Sequence, residues 1–208
     1  MISLPVAASI QSATCSNIPL VPPSPPDTVV LVEGRSDQAA VEVLARRRSR
    51  NLADEGISIV AMGGATNIGH YLRRLGPGGD NLRLAGLCDV GEERKFRRGL
   101  ELAGFGSNLT RESMESLGFF VCVLDLEDEM IRSLGAERVE GVIEAQREMG
   151  SFRIFQRQPA QRGRGIEAQL RRFLGTHSGR KITYGALLAE AVDIERVPRP
   201  LDAILTHI

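Results

Sequence analysis

Thr28-Val29-Val30-Leu31-Val32-Glu33-Gly34-Arg35-Ser36-Asp37 is the stretch on which the fold turns. Five aliphatic or β-branched residues in succession, without polar alternation, read as a short strand covered on both faces. Glu33-Gly34 closes it. A helix is expected over residues 36–50, with Ala39, Val43 and Leu44 apolar and arginines crowding its end, where they suit the helix dipole. The same unit then repeats. Residues 57–62 form a second strand stopped by Gly63-Gly64, and a helix over 66–75 ends at Gly76-Pro77-Gly78-Gly79. A third strand over 82–88 ends at Asp89, and a charged helix over 92–103 follows it. A fourth strand over 119–124 ends at Asp125. Strands alternating with helices predict an α/β protein with a parallel four-stranded sheet flanked by helices and joined by right-handed crossovers.

Working outward, residues 1–27 have no sustained period and end in Pro22-Pro23-Ser24-Pro25-Pro26, which reads as a flexible tail with a stiff spacer. Residues 126–149 are helical and acidic, with Glu127, Asp128, Glu129, Glu137, Glu140, Glu144 and Glu148. Over 151–181 the sign reverses, and eight basic residues face Glu167 alone. A last helix over 184–192 precedes a proline-broken tail.

Composition excludes several classes. The 208 residues balance 26 basic against 26 acidic side chains, which argues against binding by bulk positive charge, and 42% apolar residues without a Trp give an aliphatic core. Cys15, Cys88 and Cys122 have no metal-type spacing, and the last two sit in apolar runs, so a reducing, cytoplasmic setting is expected. His70, His177 and His207 are scattered, which argues against zinc. No apolar run reaches the roughly 18 residues of a membrane span, and the first 20 residues make a poor signal peptide.

In an open parallel sheet, ligands sit at the carboxyl ends of the strands. Glu33, Asp89 and Asp125 each end a strand there, whereas the second strand ends in glycines. Three carboxylates so gathered resist ionising together. A divalent cation relieves that, and an all-oxygen shell suits Mg²⁺ or Mn²⁺. The competing reading is that each acid caps a helix or lies solvated in a loop.

The motifs then carry a resemblance. Val32-Glu33-Gly34-Arg35-Ser36-Asp37 resembles the strand–turn–helix opening of Toprim domains, with Ser36 suited to cap the helix and Asp37 in its first turn. Met62-Gly63-Gly64-Ala65-Thr66-Asn67 resembles the glycine-rich turn after their second strand. Leu87-Cys88-Asp89 falls where their paired-aspartate motif begins, and Val123-Leu124-Asp125-Leu126-Glu127 resembles a further acidic site in the overcoming-lysogenization-defect (OLD) nucleases. The resemblance implies a Toprim (Rossmann-like) domain over 28–150 and a basic, mainly helical C-terminal extension over 151–208. There are two departures. Asp89-Val90-Gly91 lacks the second aspartate, whose place Glu92 or Glu93 could take, and no phosphate-loop signature accompanies the domain, so any ATP dependence would need a separate ATPase protein.

What the resemblance implies is a Mg²⁺- or Mn²⁺-dependent endonuclease acting on DNA, in the cytoplasm, with a homodimer compatible with the reading. Glu33 is the general acid/base or bridging ligand, Asp37, Asp89, Asp125 and Glu127 are further ligands, and Lys181 is the cation aimed at the phosphate. Lys181 also reads as an ordinary surface lysine. Arg162, Arg164 and Arg180 are expected on nucleic acid, unless the arginines pair with the acidic helix before them. Two other classes compete: a catalytically weak Toprim module that binds nucleic acid or an ATPase, and a phosphate-receiver domain. The latter wants paired acids ending its first strand, where this chain has Glu33-Gly34.

Overall fold

The computed structural model describes residues 26–176 and 178–208. The proline-rich stretch up to residue 25, the signal-peptide reading, Cys15 and His177 lie outside them. Four strands, β1 (Thr28–Val32), β2 (Ile57–Ala61), β3 (Arg83–Asp89) and β4 (Phe119–Cys122), form one all-parallel sheet in the order β2-β1-β3-β4. This is the expected fold class. Among the described residues no helix is long and apolar enough to cross a membrane.

Alternation along the buried strands assigns each side chain to one of two cores. Val30, Val32, Ala85, Leu87, Phe120 and Cys122 point to one face. They meet α1 (Arg35–Arg47) and the C-terminal helices α5 (Leu126–Leu134), α6 (Ala136–Ala145), α7 (Met149–Arg157), α8 (Ile166–Leu174), α9 (Ser178–Ala191) and α10 (Arg199–His207). Val29, Leu31, Leu84, Cys88, Phe119 and Val121 point to the other, against α2 (Ile68–Leu75), α3 (Glu93–Leu102) and α4 (Arg111–Ser116). Gly86 has no side chain because the Phe119 ring lies over it: a Cβ there would stand 2.7 Å from that ring and 3.0 Å from the Leu31 carbonyl oxygen. Cys88 and Cys122 are free and buried, and burial pushes both thiols up.

Several boundaries differ from expectation. β4 stops at Cys122 because its pairing with β3 ends at Asp89 opposite Cys122, leaving Val123 and Leu124 exposed. The acidic stretch expected as one helix is broken at Gly135, whose φ of 78° interrupts it between α5 and α6. The six-residue α4, capped by the Thr110 hydroxyl accepting from the Ser113 amide at 3.2 Å, gave no apolar period to read. The last helix expected over 184–192 begins earlier, at Ser178. The proline-broken tail contains α10: Pro200 sits in its first turn, where a missing N–H costs nothing, and Leu201, Ile204 and Leu205 join the core.

Candidate metal and phosphate site

The strand order decides which acids meet. β1, β3 and β4, the strands that end in acids, are consecutive, and the glycine-ended β2 is displaced to the edge. From β1 the chain crosses to β2 on one side, and from β3 it crosses to β4 on the other. The crevice of this switch point therefore opens between the carboxyl ends of β1 and β3. A cleft of about 190 Å³ stands there, lined by Glu33, Gly34, Arg35, Ser36, Asp37, Asp89, Lys181 and Ile182.

Each side chain has a local reason for its place. Glu33 leaves the end of β1, half-buried. Asp37 is 8% exposed in the first turn of α1, and its Oδ2 accepts from the Gly34 amide at 2.8 Å. Ser36, expected to cap this helix, is instead buried within it, and the bond at the helix start is made by Asp37. Asp89 is the last residue of β3. Lys181 comes from α9, the helix most closely packed on α1.

The electrostatics are those of crowded carboxylates. Burial raises the Glu33 carboxyl, and Asp37 and Glu92 add to the rise while Lys181 and Lys95 oppose it. Burial also raises Asp37, against the Gly34 amide and Lys181. Asp89 is pushed up to about 8 by burial and then by Asp37, Glu33 and Asp125. Lys181 loses by burial, but Glu127, Asp37, Asp89 and Asp125 outweigh that and hold its ammonium charged.

Asp125 and Glu127 face a neighbouring cleft of about 410 Å³, lined also by Phe155, Arg171, Arg172, Thr176 and Lys181. Asp125 caps α5 through Oδ1, which accepts from the Asp128 amide at 2.9 Å. Its Oδ2 accepts from Arg171 Nε at 2.7 Å and lies 2.6 Å from Nη2. Glu127 is 4% exposed, pairs with Lys181 at 3.5 Å and is pushed up to about 7, chiefly by burial. Lys181 lines both clefts and so joins the two acidic groups.

Of the two glutamates offered for the missing aspartate, Glu93 turns to Arg111, whereas Glu92 adds to the field on Glu33 and pairs with Lys95. Arg162 and Arg164 are exposed in the turn after α7, donating to the carbonyls of Arg157 and Ala160. Arg180 lies over the Phe173 ring and donates to Glu148 Oε2 at 3.0 Å and to Thr176 Oγ1 at 2.7 Å. Arg153 pairs with Glu140. The last two follow the alternative reading of the basic stretch, in which it neutralises the acidic helices. Arg171 had no signal in the sequence, because its partner is 46 residues away.

Among the described residues, no three His, Cys, Asp or Glu side chains stand together as a set that could already hold a metal ion. The donor chemistry nevertheless fits a hard cation. Glu33 Oε2 and Glu127 Oε1 are buried oxygens without a hydrogen-bond partner, and a buried acceptor left alone is costly. Glu33, Asp37 and Asp89 are the residues that would hold the ion.

This sheet order and this acidic switch point are those expected of a Toprim domain. Its type is set by the comparisons: residues 26–78 match the family model "Overcoming lysogenization defect protein-like, TOPRIM domain". The C-terminal region of the Burkholderia pseudomallei OLD protein superposes with a TM-score of 0.67 at 21% identity, over 88% of this chain and 96% of that one. The C-terminal region of the Xanthomonas campestris pv. campestris OLD protein does so at 0.67 and 26% identity, over 88% and 92%. No curated protein sequence matches the chain. Residues 26–78 thus match an OLD-like Toprim model, and the fold over most of the chain is that of the C-terminal regions of OLD proteins.

Proposed function

We propose that the protein is a Mg²⁺-dependent nuclease, also served by Mn²⁺, that hydrolyses DNA phosphodiester bonds. The observation that carries this is the meeting of Glu33, Asp37, Asp89 and Lys181 around one cleft at the switch point of the sheet. Held by Glu33, Asp37 and Asp89, a divalent ion would supply positive charge at the scissile phosphate and ease deprotonation of the attacking water. The rest falls to the chain. Lys181 presents its ammonium to the phosphate oxygens as charge develops, and Glu127 fixes that ammonium at 3.5 Å and keeps it protonated. Glu33 would give one carboxylate oxygen to the ion and keep the other facing the attacking water, to which it can act as proton acceptor. α1 and α9, packed on one another, keep Asp37 and Lys181 on the same cleft.

A second reading has its own observation. The Arg171–Asp125 pair, which engages one of the expected ligands, suits a catalytically weak module that binds nucleic acid or a separate ATPase partner. Nicking of supercoiled plasmid by the purified chain with Mg²⁺ or Mn²⁺, beside Glu33→Ala, separates the two. Metal-dependent nicking abolished by the substitution supports the nuclease. No nicking by the wild type with either ion leaves the binding module.

A further inference from the structure

The arginines expected to meet nucleic acid are partly spent on carboxylates, but a different set is not. α3 follows directly from the Asp89 end of β3, and Arg94, Arg97 and Arg98 lie along it at helical spacing i, i+3, i+4, on one face. With Glu101, Leu102, Gly106, Ser107 and Asn108 they line a groove of about 520 Å³ between α3 and the loop leading to α4. Among the described residues none of the three arginines has a carboxylate within ion-pair distance. The acids beside them are engaged elsewhere: Glu92 with Lys95, and Glu93 with Arg111. Glu101, in the groove itself, accepts from the Leu109 amide at 3.0 Å. The loop opposite is shaped by left-handed residues, Gly106 at φ 138° and Asn108 at φ 54°, and leaves Leu102 69% exposed.

We propose that this groove binds the sugar–phosphate backbone of duplex DNA beside the bond to be cut, with Arg94, Arg97 and Arg98 each facing a phosphate. The proposal takes its substrate from the nuclease reading and adds where that substrate lies. Three guanidiniums without an ion-pair partner, against the single Glu101 carboxylate, leave the groove net positive and ask for an anion with repeated charge. From Arg94 to Arg98 the helix rises about 6 Å, and the long side chains fan beyond it, so the three guanidiniums can face successive phosphates of one strand. Arg94 lies in the first turn of the helix that follows the metal-site strand, which places one end of the groove on the helix leading away from Asp89.

The test is fluorescence anisotropy of a labelled 20-base-pair duplex in EDTA across a NaCl series. Wild type is compared with the triple variant Arg94→Gln/Arg97→Gln/Arg98→Gln, its Arg→Lys counterpart, and Arg162→Gln/Arg164→Gln. Losing three phosphate contacts lowers the slope of log affinity against log salt by about 2.7 and weakens binding roughly 10- to 100-fold at 0.15 M salt. The lysine variant, which keeps the charges, restores most of it. Equal affinity and slope for the glutamine triple and wild type overturn the proposal, as does a loss confined to the Arg162/Arg164 variant. Binding in EDTA needs no chemistry, so a groove-dependent slope in a chain that never nicks plasmid keeps the groove and removes the nuclease. Nicking with an unchanged slope does the reverse.

Discussion

Gly185→Ala is the substitution that most directly couples the fold to the site. Gly185 lies in α9 against the first turn of α1, where a Cβ would stand 2.7 Å from the Ser36 carbonyl oxygen and 3.3 Å from its Cα and carbonyl carbon. Ordinary contact begins near 3.4 Å, so the two helices must part by about 0.7 Å, and the obstruction is backbone that cannot rotate away. Overpacking of this kind costs about 3 kcal/mol at the upper end, and the helix propensity gained by replacing glycine returns about 1 kcal/mol. The net loss of about 2 kcal/mol lowers the melting temperature by about 4–8 °C in a chain of this size. Lys181 is one turn earlier on the same helix, so its pairing with Glu127 loosens and nicking falls by more than the folded fraction does, about 10-fold or beyond. Thermal melting and nicking at a temperature where both proteins are folded measure the two effects. Gly141→Ala serves as the control, because its Cβ meets nothing within 4 Å and the change raises stability by about 1 kcal/mol. If Gly185→Ala raised the melting temperature as the control does, the close packing of α1 on α9 and the placement of Lys181 that rests on it would both be refuted.

Asp89→Asn makes the metal-free chain more stable at alkaline pH. A carboxyl held near 8 in the folded state keeps a proton that the unfolded chain has already lost, so wild-type stability falls as pH rises from about 4 to about 8. After discount for solvent the difference at pH 9 is about 2–3 kcal/mol, vanishing near pH 4, as urea denaturation in EDTA would show. A variant advantage that does not grow with pH contradicts the burial of Asp89 and its crowding by Asp37 and Glu33. Asp125→Ala removes a helix cap and the Arg171 pair together and costs about 1–3 kcal/mol by the same assay; an unchanged midpoint denies Asp125 its structural role.

How far the sequence could be read follows from where its signals are local. Val29 to Val32 and the run ending at Asp89 are continuous apolar strands closed by an acid, and the run from Phe119 continues to Asp125, past the strand's true end at Cys122, so the parallel sheet and its acidic edge were legible. So was the place of Asp37 in the first turn of α1, although Ser36 does not cap that helix. What was not legible depends on distance or on context. The Asp125–Arg171 pair spans 46 residues, and α9 begins at Ser178 because it packs on α1, not because of any pattern in Ser178-Gly179-Arg180-Lys181. The prolines at 198 and 200 look like breakers in a sequence, yet Pro200 is harmless in the first turn of α10. Reading Arg180 as a ligand for nucleic acid missed Glu148 and Phe173, which the fold brings to it, and the unpaired arginines of α3 drew no notice because the surrounding acids balance them in number but not in contact.

The central claim is that the crowded carboxylates at the ends of β1 and β3 form a divalent-cation site, and direct Mn²⁺ binding tests it without requiring turnover. Electron paramagnetic resonance of free Mn²⁺ titrated with the protein should show at least one bound ion per chain, weakened at least about 10-fold by Asp89→Asn and removed by Glu33→Ala, with Mg²⁺ competing for the same site. Equal Mn²⁺ binding by wild type and both variants, or none by the wild type, would contradict the account.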